Sequence, residues 1–238
     1  MSEKQKTFLN WSSGKDASLA LHYLQNNTAF SVEHLLTSVN SHYDRISMHG
    51  VRRTMLEAQI KSIGIPFSTI ELPLEPTMDE YEEKMRVIME QFVKDGFEVS
   101  AFGDIFLEDL RRFREQKLKE VNLKGEFPLW NKDTKSLALE LIEKGFKTIV
   151  VCVKSELLDE SFVGRIFDKQ FLEDLPEDVD PCGENGEFHT FCFDGPIFSN
   201  PVEFEIGEKT YKSYTNPDQN DETPEIGFWF CDLIPKTL

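Results

Sequence analysis

The stretch FLNWSSGKDASLAL, residues 8–21, changes character in its middle. The apolar residues Phe8 to Trp11 predict a strand, and the run rich in leucine and alanine that starts at Ala17 predicts a helix. Between them lie small polar residues, one lysine and one aspartate, Ser12-Ser13-Gly14-Lys15-Asp16. This junction favours an anion site, because the first amides of a helix lack intrahelical partners and the helix dipole attracts negative charge.

Each residue of this segment, called loop 12–16 below, has a use at such a site. The small residues let the backbone approach phosphate oxygens, Lys15 adds a cation, and Asp16 can hold Mg²⁺ or cap the turn. The alternative is a serine-capped helix after a strand, with no ligand. The chain lacks a GxGxxG motif, and it is not a Walker A loop, because Leu9 stands at the first glycine position and Asp16 follows the lysine.

Apolar strand-like runs alternate with helical patterns through the first two-thirds of the chain. The predicted strands are 7–12, 32–40, 66–73, 98–105 and 146–153, and the predicted helices are 15–26, 51–64, 77–95, 107–122 and 133–145. This alternation is typical of βαβ units, so the sequence predicts an α/β fold with a doubly wound parallel sheet. In such a sheet ligands bind at the carboxyl ends of the strands, where loop 12–16 follows the first one.

The amino-acid composition changes near residue 176, where proline, glycine and aromatic residues become frequent. Alternating patterns at 188–195 and 202–214 predict antiparallel strands, and 227–234 predicts a last strand. The polar, proline-bounded segment 215–225 predicts a loop. We therefore expect a smaller C-terminal α+β part.

Charge and composition limit the class of function. The formal net charge is −17, which disfavours nucleic-acid binding, because phosphate contacts come from clustered Lys and Arg. The sequence has no run of about 18 apolar residues, so it does not predict a membrane span. The first residues lack the apolar stretch of a secretory signal. The four cysteines form no CxxC pair, so we interpret them as reduced thiols and expect a cytoplasmic protein.

Loop 12–16 resembles the SGGxDS loop of the PP-loop ATP pyrophosphatases, which split ATP between its α and β phosphates. Ser13 replaces a glycine of that pattern, and Ala17 replaces its last serine, with Ser18 one step later. DPCGENGEFHTFCFDGPIF, residues 180–198, is similar to the GEGGEYET-type element of the diphthine–ammonia ligase family, a branch of these enzymes. Further similar stretches follow the same order: MHGVRRTMLEAQIKSIGIP (48–66), AFGDIFLEDLRRFRE (101–115), PLW (128–130) and FVGRIFD (162–168).

The resemblance implies a Rossmann-like PP-loop fold. Residues 1–125 would form the ATP-binding domain, and residues 126–238 would complete the sheet and bind the second substrate. It also implies that ATP, with Mg²⁺, activates a carboxylate as an acyl-adenylate with release of pyrophosphate. Ammonia or an amine would then displace AMP. The aromatic-rich C-terminal part could supply the surface of a homodimer.

The candidate site residues divide by role. The predicted catalytic residues are Lys15, Asp16, Glu184 and Glu187. The predicted nucleotide-binding residues are Ser12, Ser13, Gly14, Lys15, Asp16, Ser18, His49 and Asp104, and Asp16 is the predicted metal ligand. The predicted substrate-binding residues are Arg52, Asn185 and His189.

Several of these residues have a purely structural alternative. Asp104 ends a predicted strand, where it faces a ligand or caps the next helix. Arg52 opens a helix against its dipole, either to bind a phosphate or carboxylate or to pair with surface acids. Glu184 and its neighbours crowd one glycine-punctuated turn, which either serves catalysis or is a solvated surface turn.

Two rival functions remain open from the sequence. Ser13 and Ala17 depart from the PP-loop pattern, which suits a sensor that binds ATP or AMP without turnover. Cys182 flanks the second motif and would serve sulfur transfer of the kind seen in enzymes that thiolate tRNA, although a bystander thiol is the simpler interpretation.

Overall fold

A computed structural model describes residues 3–74, 77–215 and 225–236. The strands are β1 (Gln5–Asn10), β2 (Phe30–Asn40), β3 (Arg45–Ile46), β4 (Phe67–Leu72), β5 (Val99–Ala101), β6 (Lys124–Glu126), β7 (Lys147–Lys154), β8 (Phe188–Asp194), β9 (Phe204–Thr215) and β10 (Glu225–Pro235). The helices are α1 (Lys15–Gln25), α2 (Arg53–Ile63), α3 (Met78–Lys94), α4 (Glu108–Glu120), α5 (Thr134–Glu143) and α6 (Lys169–Asp174).

The first sheet confirms the predicted parallel α/β architecture. In this sheet, called sheet A, the strand β1 lies between β2 and β5, β4 pairs with β2, and β6 pairs with β5, all in parallel. Only the two-residue strand β3 adds to the sheet in the antiparallel direction. The chain leaves β1 towards β2 on one side and later returns to β5 on the other. The carboxyl end of β1 is therefore the topological switch point, which is where ligands bind in such sheets.

The strand at 146–153 does not continue sheet A, and this part of the prediction is wrong. It forms β7 of a separate antiparallel sheet, called sheet B, with the order β8-β7-β10-β9. Residues 126–238 consequently do not complete the parallel sheet. The interior of β7 is buried on both faces, and an apolar run of this kind looks the same in a parallel strand and in the centre of an antiparallel sheet.

Helix boundaries follow the local chemistry of the sequence. The carboxylate of Asp133 accepts a hydrogen bond of 2.8 Å from the Ser136 amide and caps α5. The same helix ends at Gly145, which has φ of +81° and forms a Schellman motif. The predicted strands at 202–214 and 227–234 correspond to β9 and β10. Most of the predicted loop 215–225 lies outside the described residues.

One buried glutamine joins the two sheets. Gln59 of α2 is fully buried, and its Oε1 accepts a hydrogen bond of 2.8 Å from the Trp11 indole. Its Nε2 donates to the carbonyl oxygens of Ser13, at 3.0 Å, and Cys192, at 2.6 Å. The larger hydrophobic core lies around it and contains residues of α1, α2 and sheet B. Among the described helices, none is long and apolar enough to cross a membrane.

Replacing this glutamine by leucine tests the junction. Gln59→Leu would leave two buried carbonyl oxygens and the Trp11 indole without this partner, so we expect the free energy of unfolding to fall by about 2–4 kcal/mol. Chemical denaturation measures it. Gln91→Leu, on the exposed side of α3, is the matched control and should change stability little, and equal effects of both would contradict the role given to Gln59.

Candidate active site

Loop 12–16 connects the end of β1 to α1 in an uncommon backbone conformation. Ser13 has φ of +69°, is fully buried, and its hydroxyl has no hydrogen-bond partner among the described residues. The N-cap of α1 is Gly14, and no side chain caps it, so the alternative of a serine-capped helix is wrong. Ser12 stays partly exposed, and its hydroxyl accepts a 3.3 Å hydrogen bond from the Gly14 amide.

Lys15 is the central charge of the site. Its side chain is only 3% exposed, and Nζ lies 2.7 Å from an Asp16 carboxylate oxygen. Nζ also donates to the carbonyl oxygen of Cys182, in the segment 180–189. Burial lowers the pKa of Lys15, but the negative charges around it, of which Asp16 is the strongest, outweigh burial and raise the pKa. The lysine therefore stays charged inside the protein.

The strand β8 holds loop 12–16 in place. The Cys192 amide donates to the Ser13 carbonyl at 2.9 Å, and the Lys15 amide donates to the Thr190 hydroxyl at 3.0 Å. The first amide of α1 thus already has a partner within the protein. Ser18 is buried, and its hydroxyl donates to the Gly14 carbonyl at 2.8 Å. Ser18 therefore does not offer its hydroxyl to a phosphate in this arrangement.

The segment 180–189 is a compact turn built around two carboxylates. Asp180 accepts hydrogen bonds from the Cys182 and Glu184 amides, at 3.0 and 3.1 Å. Glu187 is buried, and its Oε1 accepts from the Asp180 amide at 3.1 Å and from the Asn185 side chain at 2.9 Å. Its Oε2 is buried without a partner among the described residues. Asn185 is exposed and stabilises this turn.

Glu184 reaches across to the segment between β5 of sheet A and α4. Its Oε1 accepts hydrogen bonds from the Ile105 amide at 2.6 Å and the Phe106 amide at 3.3 Å. Burial raises the pKa of Glu184 to about 7; Asp16 and Asp104 add to the rise, while the Ile105 amide opposes it. A carboxyl group with this pKa can give or take a proton at neutral pH.

Asp104 faces the site and does not cap the following helix, whose N-cap is Leu107. Its carboxylate lies 2.7 Å from Nε of Arg114, and the Arg114 guanidinium stacks over Phe102 at 4.4 Å. Burial raises the pKa of Asp104, although Arg114 opposes the change. The preceding residue, Gly103, packs on the first turn of α1, where an added methyl group would lie 2.9 Å from the Ala17 nitrogen.

The two candidate histidines come together beside the loop. The ring centroids of His49 and His189 are 4.7 Å apart. Nδ1 of His49 donates to the Thr190 carbonyl at 3.0 Å. A methyl group added at Gly14 would lie 2.9 Å from Cε1 of His49, so this ring borders the N-terminus of α1.

The Arg52 side chain hydrogen-bonds to β10 and to neither loop 12–16 nor the segment 180–189. Its guanidinium forms a bidentate pair with Asp232 of β10, with distances of 2.9 and 2.5 Å, and Arg45 binds the same carboxylate at 2.8 Å. Arg52 therefore pairs with an acid, which is the structural alternative given in the sequence analysis. A substrate-binding role for Arg52 stays a prediction.

Sequence patterns alone missed several residues that shape the site. Gln59 and Thr190 position loop 12–16, Asp180 organises the second motif, and Arg114 pairs with Asp104. Thr190 and Asp180 lie in the quoted motif 180–198 and could have been found from it. A buried glutamine on a helix carries no such local signal.

Ser13→Gly tests the backbone of the loop. Glycine adopts positive φ without the steric cost that a side chain has, so we expect the free energy of unfolding to rise by about 1 kcal/mol. The adjacent Ser12→Gly is the control. Because Ser12 lacks a positive φ, this substitution should not raise the free energy of unfolding. Thermal or urea unfolding measures both, and a Ser13→Gly variant less stable than wild type would contradict the interpretation.

Glu184→Gln tests the proton that this site holds. The folded protein raises the pKa of Glu184 from 4.5 to about 7, so the stability due to the bound proton is present below pH 4.5 and is lost as the pH rises through 7. Glutamine resembles the protonated form. We expect the variant to exceed wild type by on the order of 1–3 kcal/mol at pH 8 and to match it near pH 4.

Urea unfolding across this pH range measures the effect of Glu184→Gln. Glu143→Gln, on an exposed position at the end of α5, is the control and should show no comparable trend with pH. A constant difference between the Glu184 variant and wild type from pH 4 to 8 would contradict the raised pKa.

Comparison with known proteins identifies the family. The model of the diphthamide synthase N-terminal domain matches residues 5–125, and the model of the diphthamide synthase C-terminal domain matches residues 133–217. A solved structure described as a predicted subunit of tRNA methyltransferase from Methanocaldococcus jannaschii is similar with a TM-score of 0.42 and 18% identity. That match covers 62% of this chain and 80% of the other.

Curated relatives named diphthine–ammonia ligase match part of the chain. The human protein is 28% identical over 131 residues, which covers 52% of this chain and 48% of the relative. The Danio rerio protein is 27% identical over 157 residues, which covers 63% of this chain and 58% of the relative. The chain thus spans about half the length of the curated relatives that it matches. Because the N-terminal model alone matches more than half of this chain, the protein belongs to the diphthamide synthase family.

Proposed function

We propose that this protein is an ATP-dependent amide ligase that adenylates a carboxylate, releases pyrophosphate and transfers the acyl group to ammonia or an amine. Family membership and the names of the relatives support an ATP-dependent ligase. The carboxylate is diphthine, as those names suggest, or a small carboxylate metabolite.

One observation carries the proposal. The ammonium group of Lys15 contacts both the Asp16 carboxylate and the Cys182 carbonyl. It thereby joins loop 12–16 to the segment 180–189, although the two are far apart in the sequence. An ATP site and the residues of a second substrate would have to be this close for the carboxylate to attack the α-phosphorus of ATP.

The loop is suited to bind the phosphates of ATP. It lies at the switch point of sheet A, at the positive end of the α1 dipole, and next to a lysine that stays charged. Gly14 and Gly103 leave no room for a Cβ, which brings the backbone close to any ligand that binds there. Adenylation develops negative charge on the α-phosphate and on pyrophosphate, and a fixed cation in a buried site stabilises such charge.

Mg²⁺ fits the donor set at Asp16. The described residues contain no cluster of three or more His, Cys, Asp or Glu side chains that could hold a metal ion by themselves. Mg²⁺ bound with a nucleotide does not need one, because one or two carboxylates and the substrate phosphates suffice. When bound, it would neutralise charge on the phosphates, and Asp16 is the residue that would hold it.

The remaining carboxylates would exchange protons and orient the second substrate. Glu184, with a pKa of about 7, can exchange a proton at neutral pH. Oε2 of Glu187 is buried and has no hydrogen-bond partner within the described part of the chain, and Asn185 and His189 lie in the same segment. No nucleophilic side chain is required, because the substrate carboxylate itself attacks phosphorus.

A nucleotide sensor without turnover is the second candidate. Ala17 lacks the hydroxyl that the PP-loop pattern has, and the Ser18 hydroxyl is already bonded to Gly14. Sulfur transfer is less well supported. The Cys182 thiol is buried, donates to the Thr134 carbonyl, and has its pKa raised by burial, so it forms little of the nucleophilic thiolate.

Product analysis distinguishes the candidates. The protein is incubated with ATP, Mg²⁺, ammonium chloride and a panel of carboxylic acids, and we expect AMP and pyrophosphate. Lys15→Met keeps much of the packing of the side chain but removes its charge, so we expect at least about a 100-fold lower rate of AMP release. Lys119→Met, on an exposed position of α4, is the control and should keep the wild-type rate.

Three outcomes would contradict the ligase. ADP and phosphate as products would exclude adenylation, and a Lys15→Met variant with full activity would exclude the role of the lysine. Nucleotide binding in calorimetry without AMP release for any acid would favour the sensor. Melting temperatures of both variants show whether a loss of activity reflects unfolding.

A further inference from the structure

Two histidine rings from distant parts of the chain pack against each other at the site. His49 follows β3 and His189 lies in β8; their planes are tilted by 33° at a centroid distance of 4.7 Å. Both are half-buried, and His49 contacts Gly14 at the N-terminus of α1. The pair therefore borders the place proposed for the phosphates of ATP.

Hydrogen bonding determines which nitrogen of His49 is free. Nδ1 lies 3.0 Å from the carbonyl oxygen of Thr190. Because a carbonyl only accepts, Nδ1 carries the hydrogen, and in the neutral ring Nε2 holds a lone pair. The neutral ring of His189 likewise has one nitrogen with a lone pair. Each ring thus has a nitrogen that can accept a proton.

Burial lowers the pKa of both rings and so favours their neutral form at pH 7. The pKa of His49 is lowered to about 4; burial is the main cause, the hydrogen bond to the Thr190 carbonyl opposes it, and the charge of Lys15 adds to the lowering. Burial, His49 and Lys15 all lower the pKa of His189 well below 6.5. Among the described residues, Lys15 is the charged group that acts on both rings. A neutral imidazole adds no charge attraction to a phosphate, but it can act as a general base.

We propose that the His49–His189 pair accepts the proton that the nitrogen nucleophile loses during amide formation, an inference that rests on the proposed ligase function. The nitrogen lone pair attacks the carbonyl carbon of the acyl-adenylate and forms the C–N bond. The C–O bond to AMP breaks, and AMP leaves with that electron pair. The N–H proton passes to a free imidazole nitrogen and then to solvent.

The pair acts in amide formation, which follows adenylation. Its role is therefore distinct from that of the residues that serve adenylation. The carboxylate that attacks ATP has no proton to lose at neutral pH, so adenylation needs no base. Ammonia does need one, because its nitrogen becomes acidic as the new bond forms. Hydroxylamine loses its proton more readily in the same step and depends less on a base.

The experiment uses His49→Gln and His189→Gln with the acid that supports AMP release in wild type. With ammonium chloride as nucleophile, we expect amide formation to fall about 100-fold, a far larger loss than that of ATP–pyrophosphate exchange, because only amide formation needs the base. Hydroxylamine should restore much of the lost rate. His34→Gln is the matched control, because His34 is also half-buried but lies on β2, where its ring bonds to Ser68, and it should leave both reactions unchanged.

Two results would overturn the proposal. One is an equal loss of exchange and amide formation in the histidine variants; the other is a loss as large with hydroxylamine as with ammonium. Wild-type protein without pyrophosphate exchange would instead overturn the proposed function.

A second measurement does not depend on turnover. Nitrogen-15 NMR of the wild-type histidine rings at pH 7 should show His49 and His189 neutral, with the hydrogen of His49 on Nδ1. A ring that is protonated at pH 7, or His49 with its hydrogen on Nε2, would overturn the proposal whatever the assays show.

Discussion

The carbonyl oxygen of Ser13 accepts two hydrogen bonds, from the Cys192 amide and from Gln59, and the arrangement of the site depends on them. They fix a loop of the parallel sheet against a strand of the antiparallel sheet. Since Cys192 is nearly 180 residues further along the chain, the conformation of loop 12–16 depends on contacts between the two sheets. The site is therefore a product of the whole chain, and the positive φ of Ser13 is maintained by tertiary contacts rather than by local preference.

A buried lysine surrounded by acids sets the electrostatics of the site. Asp16 pairs directly with Lys15, while Glu184 and the Cys182 carbonyl also lie within its influence. Burial is the main cause of the raised pKa of Glu184, and the one cation does not compensate for the neighbouring carboxylates of Asp16 and Asp104, which add to the rise. The same crowding that weakens the folded state at high pH prepares a carboxyl group for proton exchange at neutral pH.

Periodicity and caps predicted the local structure well, because they depend on neighbouring residues. The strand β1, the helices α1 and α5 and the cap at Asp133 were all readable from the sequence. The assignment of β7 to the parallel sheet failed, because the direction of a partner strand is decided by distant residues. Of the site, the residues of both motifs could be named in advance, but not the pairing of Arg52 with Asp232 or of His49 with His189. Those contacts join segments more than 100 residues apart.

The contact between Gly14 and His49 also limits how sequences of this kind can diverge. A Cβ atom at position 14 would lie 2.9 Å from Cε1 of His49 and 3.1 Å from the Thr190 carbonyl oxygen, so both the imidazole and strand β8 would have to move to admit a side chain. Replacing His49 by a smaller residue would relieve only the first of these contacts, so a mutagenesis library that varies position 14 should consist mostly of destabilised members.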